Sequence, residues 1–486
     1  MSERAAMRPI AIETVAHIIG AAVTRRASRS ENEAAPSSIT GISTDSRTIR
    51  PGDGFFAIAG DRFDGHDYVA EVFEKGAACA VVSRTIDADA MPGPILRVHD
   101  TVEALGDLAR EYRRSSSFKV VAITGSVGKT TTRQIVHHVL SRRFRTHQAQ
   151  KSFNNHIGLP LTLLGAEPEH EIVIAELGAN HPGEIGYLTG IAQPDVAVVT
   201  NASPAHLEGF GDLSTIIREK LSIADGLPAD GTLIINGDIE PLVAACREMG
   251  RPFRTFGKTA GADYRAEHVV CEALHSTFEV NGRQVRLPLP GPGNLENALA
   301  AWAICEHLGL TIDDFANAVA SLSSVSMRAE AVQIGTLTVL NDCYNANPAS
   351  MKNALTMLRN LRGSDTDRNR RLVFICGEMA ELGAQTQALH EELGVAVAEA
   401  GVDLLVAVGA APRVTAQVAR KQARHDLQTR CFDDAAAVCD HMPEFLRGDD
   451  IVLVKGSRTA RLERIVEALR ELVASRETLC RTARVK

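Results

Sequence analysis

The stretch VVAITGSVGKTTT, from Val120 to Thr132, constrains this chain more than any other. VVAIT reads as a strand, a glycine-containing turn follows, and Thr130 opens a helical pattern. In TTRQIVHHVL, residues Ile135, Val136, Val139 and Leu140 fall along one stripe. A strand, a Gly-Lys-Thr turn and a helix together make a phosphate-binding loop. Backbone N–H groups at the helix start point at an anion, and the helix dipole favours negative charge. The usual spacing, G-x-x-x-x-G-K-[ST], needs a glycine at position 123. The chain has Ile123, and its other glycine is Gly125, so the loop is shortened. Gly125 and Gly128 allow close backbone approach, and Ser126, Val127 and Thr131 complete the cradle. Lys129 can reach the outer phosphates and the Thr130 hydroxyl can ligate magnesium. The alternative, an exposed turn that happens to carry GKT, does not account for the strand before it and the helix after it.

Strand-like and helical runs alternate around this unit. KVVAITG, EIVIAELG, DVAVVTN and GTLIING read as strands, and the helix LENALAAWAICEHLG comes late in the same part. From Met327-Arg328 the alternation resumes with TLTVLND, SMKNALTMLRNL, RRLVFICG, HEELGVAVAEAG, DLLVAVG, IVLVKGS and RLERIVEALREL. Such alternation predicts mostly parallel sheets covered on both faces, hence two α/β units, the second smaller. An N-terminal part with short strands such as GFFAIAG and CAVVSR ends at Arg113-Arg114-Ser115-Ser116-Ser117, which reads as a linker. No internal repeat is visible. A chain of 486 residues exceeds one ordinary core and suits about three domains. The expected division is 1–116, 117–326 and 327–486.

Composition narrows the functional classes. Lys plus Arg number 52 against 60 Asp plus Glu, a net charge of −8 that argues against a nucleic-acid binder. No apolar run approaches the roughly 20 residues of a membrane span, and MSERAAMRPI lacks the apolar core of a secretory signal. Nine scattered cysteines without a C-x-x-C pair, with Cys79, Cys271 and Cys376 in apolar stretches, read as buried free thiols of a cytoplasmic protein.

Ligands of α/β sheets collect at the carboxyl ends of strands, and much of the remaining polar chemistry lies there. VIAELGANHPGEI puts Glu176 at a strand end, and NASPAHLEGFGDL puts His206 just past the next one. A carboxylate and an imidazole on adjacent strand ends could hold a metal, although magnesium prefers oxygen; His206 taken alone reads as a loop histidine, and beside a phosphate loop the metal reading is the better one. Lys220, in STIIREKLSI, reads by spacing alone as a surface lysine. Asn154 and Asn155 suit either substrate carbonyls or a capped turn. Asn294 and Asn297, at i and i+3 on one helix face, suit an adenine edge or a helix cap. LNDCYNANPASM gathers Asp342, Tyr344, Asn345 and Asn347 after a strand, and VKGSR does the same with Lys455, Ser457 and Arg458. Near the N-terminus, Asp45, Ser46 and Arg47 could take a diphosphate or form a surface salt bridge.

Together, TGSVGKTTT, ELGANHPGEI, AHLEGFGDL with Lys220 downstream, NLENALAA, NDCYNANPASM, GEMAELG and LVKGSR resemble the Mur ligase family, the ATP-dependent amide-forming enzymes of peptidoglycan precursor synthesis. They span most of the chain in the family's order, and the short phosphate loop is the family's own form. The resemblance implies an α/β chain of three domains. An N-terminal domain grips a uridine diphosphate, a central P-loop ATPase-type domain carries a mostly parallel sheet, and a C-terminal Rossmann-like domain binds the incoming amine. ELGANHPGEI, HLEGFG, DCYNANPASM, GEMAELG and GDRFDGHDY look most like the branch that joins D-alanyl-D-alanine to the tripeptide carboxylate of UDP-N-acetylmuramoyl-tripeptide. A Mur ligase adding the third residue, or a folylpolyglutamate synthetase, would share the ATP site without these stretches. A nucleotide-gated binding module would need no second metal set.

The resemblance also implies site roles. Lys129, His206 and Lys220 are catalytic, with Lys220 where the family carries a carbamylated lysine. Thr130, Glu176, His206 and Lys220 position magnesium. The phosphate loop binds ATP with Asn294, Asn297, Arg328 and Asp342. Substrates meet Asp45, Ser46, Arg47, Asn154, Asn155, Tyr344, Asn345, Lys455, Ser457 and Arg458. The family usually reads H-N-x-x-N near the adenine, and here Gly293 precedes Asn294, so no histidine ring stands at that position. The implied partners are small molecules, with neither nucleic acid nor membrane insertion, and the implied state is a cytoplasmic monomer.

Overall fold

A computed structural model describes residues 4–24, 37–60, 63–150, 152–272, 274–323, 326–362 and 370–484. Three α/β domains follow one another along the chain, each built on its own sheet.

The N-terminal sheet has six strands, in the order Arg4–Ala11, Ser38–Ser43, Asp53–Phe56, Cys79–Val82, Ile95–Arg97 and Ala22–Thr24. Its inner strands run parallel and its two edge strands antiparallel. Phe55 and Phe56 point to opposite faces, as successive strand residues must, and both are buried, so the sheet is covered on both sides.

The central sheet is wholly parallel. Its seven strands run in the order Tyr264–Arg265, Arg254–Gly257, Thr232–Asn236, Val196–Val199, Lys119–Thr124, Ile172–Glu176 and Thr146–Gln148. The strand that feeds the phosphate loop therefore lies between the strands ending at Val199 and Glu176. Ile123 stands opposite Glu176 and Thr124 opposite Val199, so three strand ends open at one level. That register brings residues far apart in sequence to one edge.

The C-terminal sheet also has six strands, in the order Glu330–Ile334, Leu337–Asn341, Ile451–Lys455, Leu372–Cys376, Leu404–Val408 and Gln428–Phe432. Only the first pairing is antiparallel.

Two features differ from the sequence expectation. Arg113 and Arg114 are not linker residues: they close the helix Thr101–Arg114, which Asp100 caps through the N–H groups of Val102 and Glu103. Arg113 donates to the carbonyls of Phe118 at 2.9 Å and Gln193 at 3.1 Å and pairs with Asp195 at 2.9 Å, tying the first domain to the second. The second feature is a three-stranded antiparallel sheet, Glu267–Cys271, Ser276–Val280 and Arg283–Leu287, whose hairpin turns at Asn281-Gly282 with both φ angles positive. An Asn-Gly pair suits that turn because both central residues must be left-handed. Cys271 is half-buried there, whereas Cys79 and Cys376 are fully buried. The eight cysteines whose side chains are described are unpaired. Among the described residues no helix is long and apolar enough to cross a membrane.

Candidate active site

The phosphate loop takes its shape from the neighbouring strand end. Ser126 N–H donates to the Asn201 carbonyl at 2.9 Å, and the Ser126 hydroxyl donates to the Ser203 carbonyl at 2.8 Å. The Thr200 hydroxyl donates to the Val127 carbonyl at 2.6 Å. Gly128 sits at φ +90, and a Cβ there would lie 2.1 Å from Asn297 Oδ1, so glycine is required for conformation and space alike. Helix Lys129–Leu140 starts at once, leaving its first N–H groups free for an anion.

The loop opens into a cavity of about 520 Å³. Ser126, Val127, Gly128, Lys129, Thr130 and Thr131 line it from the loop, and Glu176 and His206 from the flanking strand ends. Gly125 lies behind the lining, where its carbonyl accepts from Lys129 Nζ at 2.5 Å. Burial, opposed in part by the charge of Glu176, pulls the Lys129 ammonium down to about 8.

Glu176 is fully buried. It accepts from the Thr130 hydroxyl at 3.1 Å and from Arg133 Nε at 2.6 Å. Arg133 was not foreseen. It lies one helical turn past Lys129 on the same face, and that i, i+4 spacing was the signal for it. Oxygens on adjacent vertices of a magnesium octahedron with bonds near 2.1 Å lie about 3 Å apart. The Thr130–Glu176 separation of 3.1 Å fits one such edge. Among the described residues no three His, Cys, Asp or Glu side chains form a metal cage. The donor set thus suits a cation completed by substrate phosphates and water, as magnesium usually is.

His206 heads the short helix Leu207–Phe210 with a left-handed backbone, φ 52. Its Nδ1 pairs with Glu381 of the C-terminal domain, whose own φ is 61, and the Glu381 carbonyl accepts from Glu208 N–H at 3.1 Å. The His206 hydrogen bond holds the Glu381 carboxyl below its ordinary range.

Lys220 is not the surface lysine that its spacing suggests: it is 2% exposed. Its ammonium stands 5.6 Å from the centre of the Phe210 ring and makes no hydrogen bond or ion pair among the described residues. The adjacent Glu219 is engaged elsewhere, accepting from Gly183 and Ile185 N–H at 2.7 Å each. Burial, and then the charge of Lys129, pull Lys220 down to about 7. It does not line the cavity, and among the described residues no hydrogen bond joins it to His206.

The C-terminal domain completes the cavity. Asn347 Nδ2 donates to the Ser126 carbonyl at 3.4 Å, and Tyr344 hydrogen-bonds Ser152. The Arg328 guanidinium lies 4.2 Å from the Tyr344 ring centre. Asn345 also lines the cavity. Lys455, only 1% exposed, donates to Asp342 at 2.6 Å and to the Asn345 carbonyl at 3.0 Å. It lines the cavity with its charge already matched by Asp342. Ser457 and Arg458 line a small adjoining cavity of about 80 Å³ together with His206 and Glu381. Arg458 pairs there with Glu463 at 3.1 Å and keeps 59% of its side chain exposed.

Asn154 lines the main cavity beside Gly178. Asn155 lines it too, while its Oδ1 accepts from Gly158 N–H at 2.9 Å, so its capping role is realised. Asn294 and Asn297 line the cavity from helix Pro292–His307, Asn297 against Gly128 of the phosphate loop. Asn294 does not cap that helix: its Nδ2 reaches back to the Pro290 carbonyl at 2.8 Å. Asp45, Ser46 and Arg47 do not line this cavity. Arg47 forks onto Asp45 at 2.8 and 2.7 Å, the salt bridge foreseen as the plain alternative, and that fork holds the Asp45 carboxyl low. Glu296, Asn353 and Met357 line the cavity without having been foreseen.

Family models described as "Mur ligase family, catalytic domain", "Mur ligase middle domain" and "Mur ligase, glutamate ligase domain" match residues 38–113, 123–305 and 327–458. The UDP-N-acetylmuramoyl-tripeptide–D-alanyl-D-alanine ligase of Escherichia coli K12 is 35% identical over 91% of this chain and 96% of its own length. The crystal structure of MurF from Acinetobacter baumannii superposes with a TM-score of 0.84 at 31% identity, covering 96% of this chain and 99% of that one. MurF ligase from Thermotoga maritima in complex with ADP gives 0.78 at 28% identity, covering 90% and 98%. With all three Mur models matched in order, and a relative of this identity covering nearly its whole length, the chain belongs to the Mur ligase family.

Proposed function

We propose that this chain is an ATP-dependent ligase that joins D-alanyl-D-alanine to the tripeptide carboxylate of UDP-N-acetylmuramoyl-tripeptide, releasing ADP and phosphate in peptidoglycan precursor synthesis. One observation carries the reading: a cavity in which the phosphate loop and the Thr130–Glu176 pair of one domain meet the Asp342–Lys455 pair of the next. The named activity of the full-length relatives supports it. Residues 1–116 would hold the uridine diphosphate through Asp45, Ser46 and Arg47, residues 117–326 the ATP, and residues 327–486 the dipeptide.

Lys129 and the loop N–H groups hold the phosphates of ATP. Thr130 and Glu176 would hold a magnesium ion, which supplies neutralisation of phosphate charge when bound. His206 and Lys220 would serve a second ion, Lys220 as its carbamate. The unpaired, buried Lys220 amine suits that modification, because only a neutral amine adds carbon dioxide. Asn154 and Asn155 orient the tripeptide end.

An oxygen of the tripeptide carboxylate attacks the γ-phosphorus and ADP leaves, giving an acyl phosphate. The dipeptide amine then attacks the carbonyl carbon. The tetrahedral adduct expels phosphate, and the nitrogen releases its proton to solvent. Catalysis is mainly positioning and preorganised charge. The contacts of Asn347, Tyr344 and Glu381 across the domain seam exclude water from the acyl phosphate. A substrate soluble in water and an ATP supply place the reaction in the cytoplasm, with the chain acting as a monomer.

The acyl phosphate is directly testable. Tripeptide carrying ¹⁸O in its terminal carboxylate should pass one labelled oxygen to the released phosphate. Unlabelled phosphate would rule out carboxylate attack on ATP.

A further inference from the structure

We infer that Asn353 reads the adenine base, and that it can do so because residue 293 is glycine. The inference rests on the ATP-binding reading of the main cavity. Asn353 lies on helix Pro348–Arg362 of the C-terminal domain and lines the cavity beside Asn294 and Asn297. It is half-buried, and its carboxamide has no hydrogen-bond partner among the described residues.

The helix approaches the central domain over glycines. A Cβ on Gly293 would lie 2.9 Å from Asn353 Nδ2, and one on Gly291 would lie 2.6 Å from Met357 Cγ. Asn353 and Met357 are one turn apart, so a single helix face seats on these two positions. Any side chain at 293 would displace the Asn353 carboxamide. The bare glycine that leaves this chain without a ring at 293 thus makes room for an amide from the other domain.

The neighbouring amides are already in use. Asn294 Nδ2 is spent on the Pro290 carbonyl at 2.8 Å, and Asn297 Oδ1 faces the Thr132 hydroxyl at 3.4 Å. Of the three amides on this wall, Asn353 is the one that makes no hydrogen bond among the described residues, so both ends of its carboxamide are open to a ligand. That pair matches an adenine edge: the carboxamide oxygen accepts from the N6 amino group while its N–H donates to the adjacent ring nitrogen. On that edge, N6 with N7, guanine presents O6 and N7, both acceptors, so neither orientation of the carboxamide satisfies it. Adenine is therefore read from the C-terminal domain while the phosphates are held by the central one.

Calorimetric binding of ADP and GDP to the full chain tests this without requiring turnover. Asn353→Ala should weaken ADP about tenfold to a hundredfold and bring the two nucleotides close to parity, with GDP affinity kept or raised. Retained GDP binding also shows that the phosphate site still stands. Gly293→Ala should weaken ADP in the same direction by pushing Asn353 aside, and should add nothing in the Asn353→Ala background. An unchanged ADP preference in Asn353→Ala, or a full Gly293→Ala loss in the double variant, overturns the inference alone. A wild-type chain that binds neither nucleotide overturns the ATP reading and this inference with it.

Discussion

Lys129→Ala is expected to lose ligation by a hundredfold or more while keeping its fold. Among the described residues its ammonium meets only the Gly125 carbonyl, at 2.5 Å, so it is held in place to receive an anion. Burial already draws it down to about 8, and negative phosphates bound beside it would restore its charge. Removing one preorganised charge-stabilising donor from such a site costs about 2.7–4 kcal/mol of transition-state stabilisation. Alanine is the better helix former at the head of helix Lys129–Leu140, so loss of activity would not reflect unfolding. Steady-state ADP formation together with circular dichroism checks both halves. Near-normal turnover would remove the phosphate-loop assignment.

Lys220→Ala should be nearly inactive, with partial recovery when a short carboxylic acid is supplied in solution to stand in for the carbamate. The pH dependence has a definite sign. With the amine drawn down to about 7, the neutral form dominates above that pH and falls to about a tenth one unit below it. Only the neutral amine adds carbon dioxide. In carbonate-depleted buffer, wild-type activity should therefore fall as pH drops through about 7 and recover with added bicarbonate, and Lys220→Ala should show no bicarbonate response. Mass analysis showing unmodified Lys220 in fully active enzyme would remove the carbamate.

The residues legible in the sequence were those whose environment is local. The phosphate loop was readable because its strand, its glycines and its helix are contiguous, and Glu176 because it ends a continuous apolar run. Lys220 was not readable by spacing, since its burial comes from Phe210 and from a helix packing that no local pattern records. Only its place relative to the family motifs singled it out. Lys455 was foreseen at a strand end but its pairing was not: Asp342 follows the neighbouring strand of the sheet, more than a hundred residues earlier. Arg113 read as linker because a polar run looks alike at a helix end and in a loop. Asn353 belongs to none of the motifs read from the sequence, and only the seating of its helix on Gly293 gives it a role.

The most direct test of the whole account is the choice of amine. A dipeptide carries its carboxylate one residue farther from its amine than a single amino acid does. The anion-binding group must therefore stand correspondingly farther from the acyl phosphate. Lys455 is buried against Asp342, whereas Arg458, beside the small adjoining cavity, pairs with Glu463 yet keeps 59% of its side chain exposed, so Arg458 is the candidate for that task. A single amino acid could reach that charge or attack the acyl phosphate, but not both, and polar groups left unpaired make such rejection as steep as about 10⁴-fold. The measurement is ADP formation with a UDP-muramoyl tripeptide and each amine supplied separately. D-alanyl-D-alanine should turn over, and meso-diaminopimelate, L-lysine and D-glutamate should not. Faster turnover with any of these single amino acids than with the dipeptide would contradict the account.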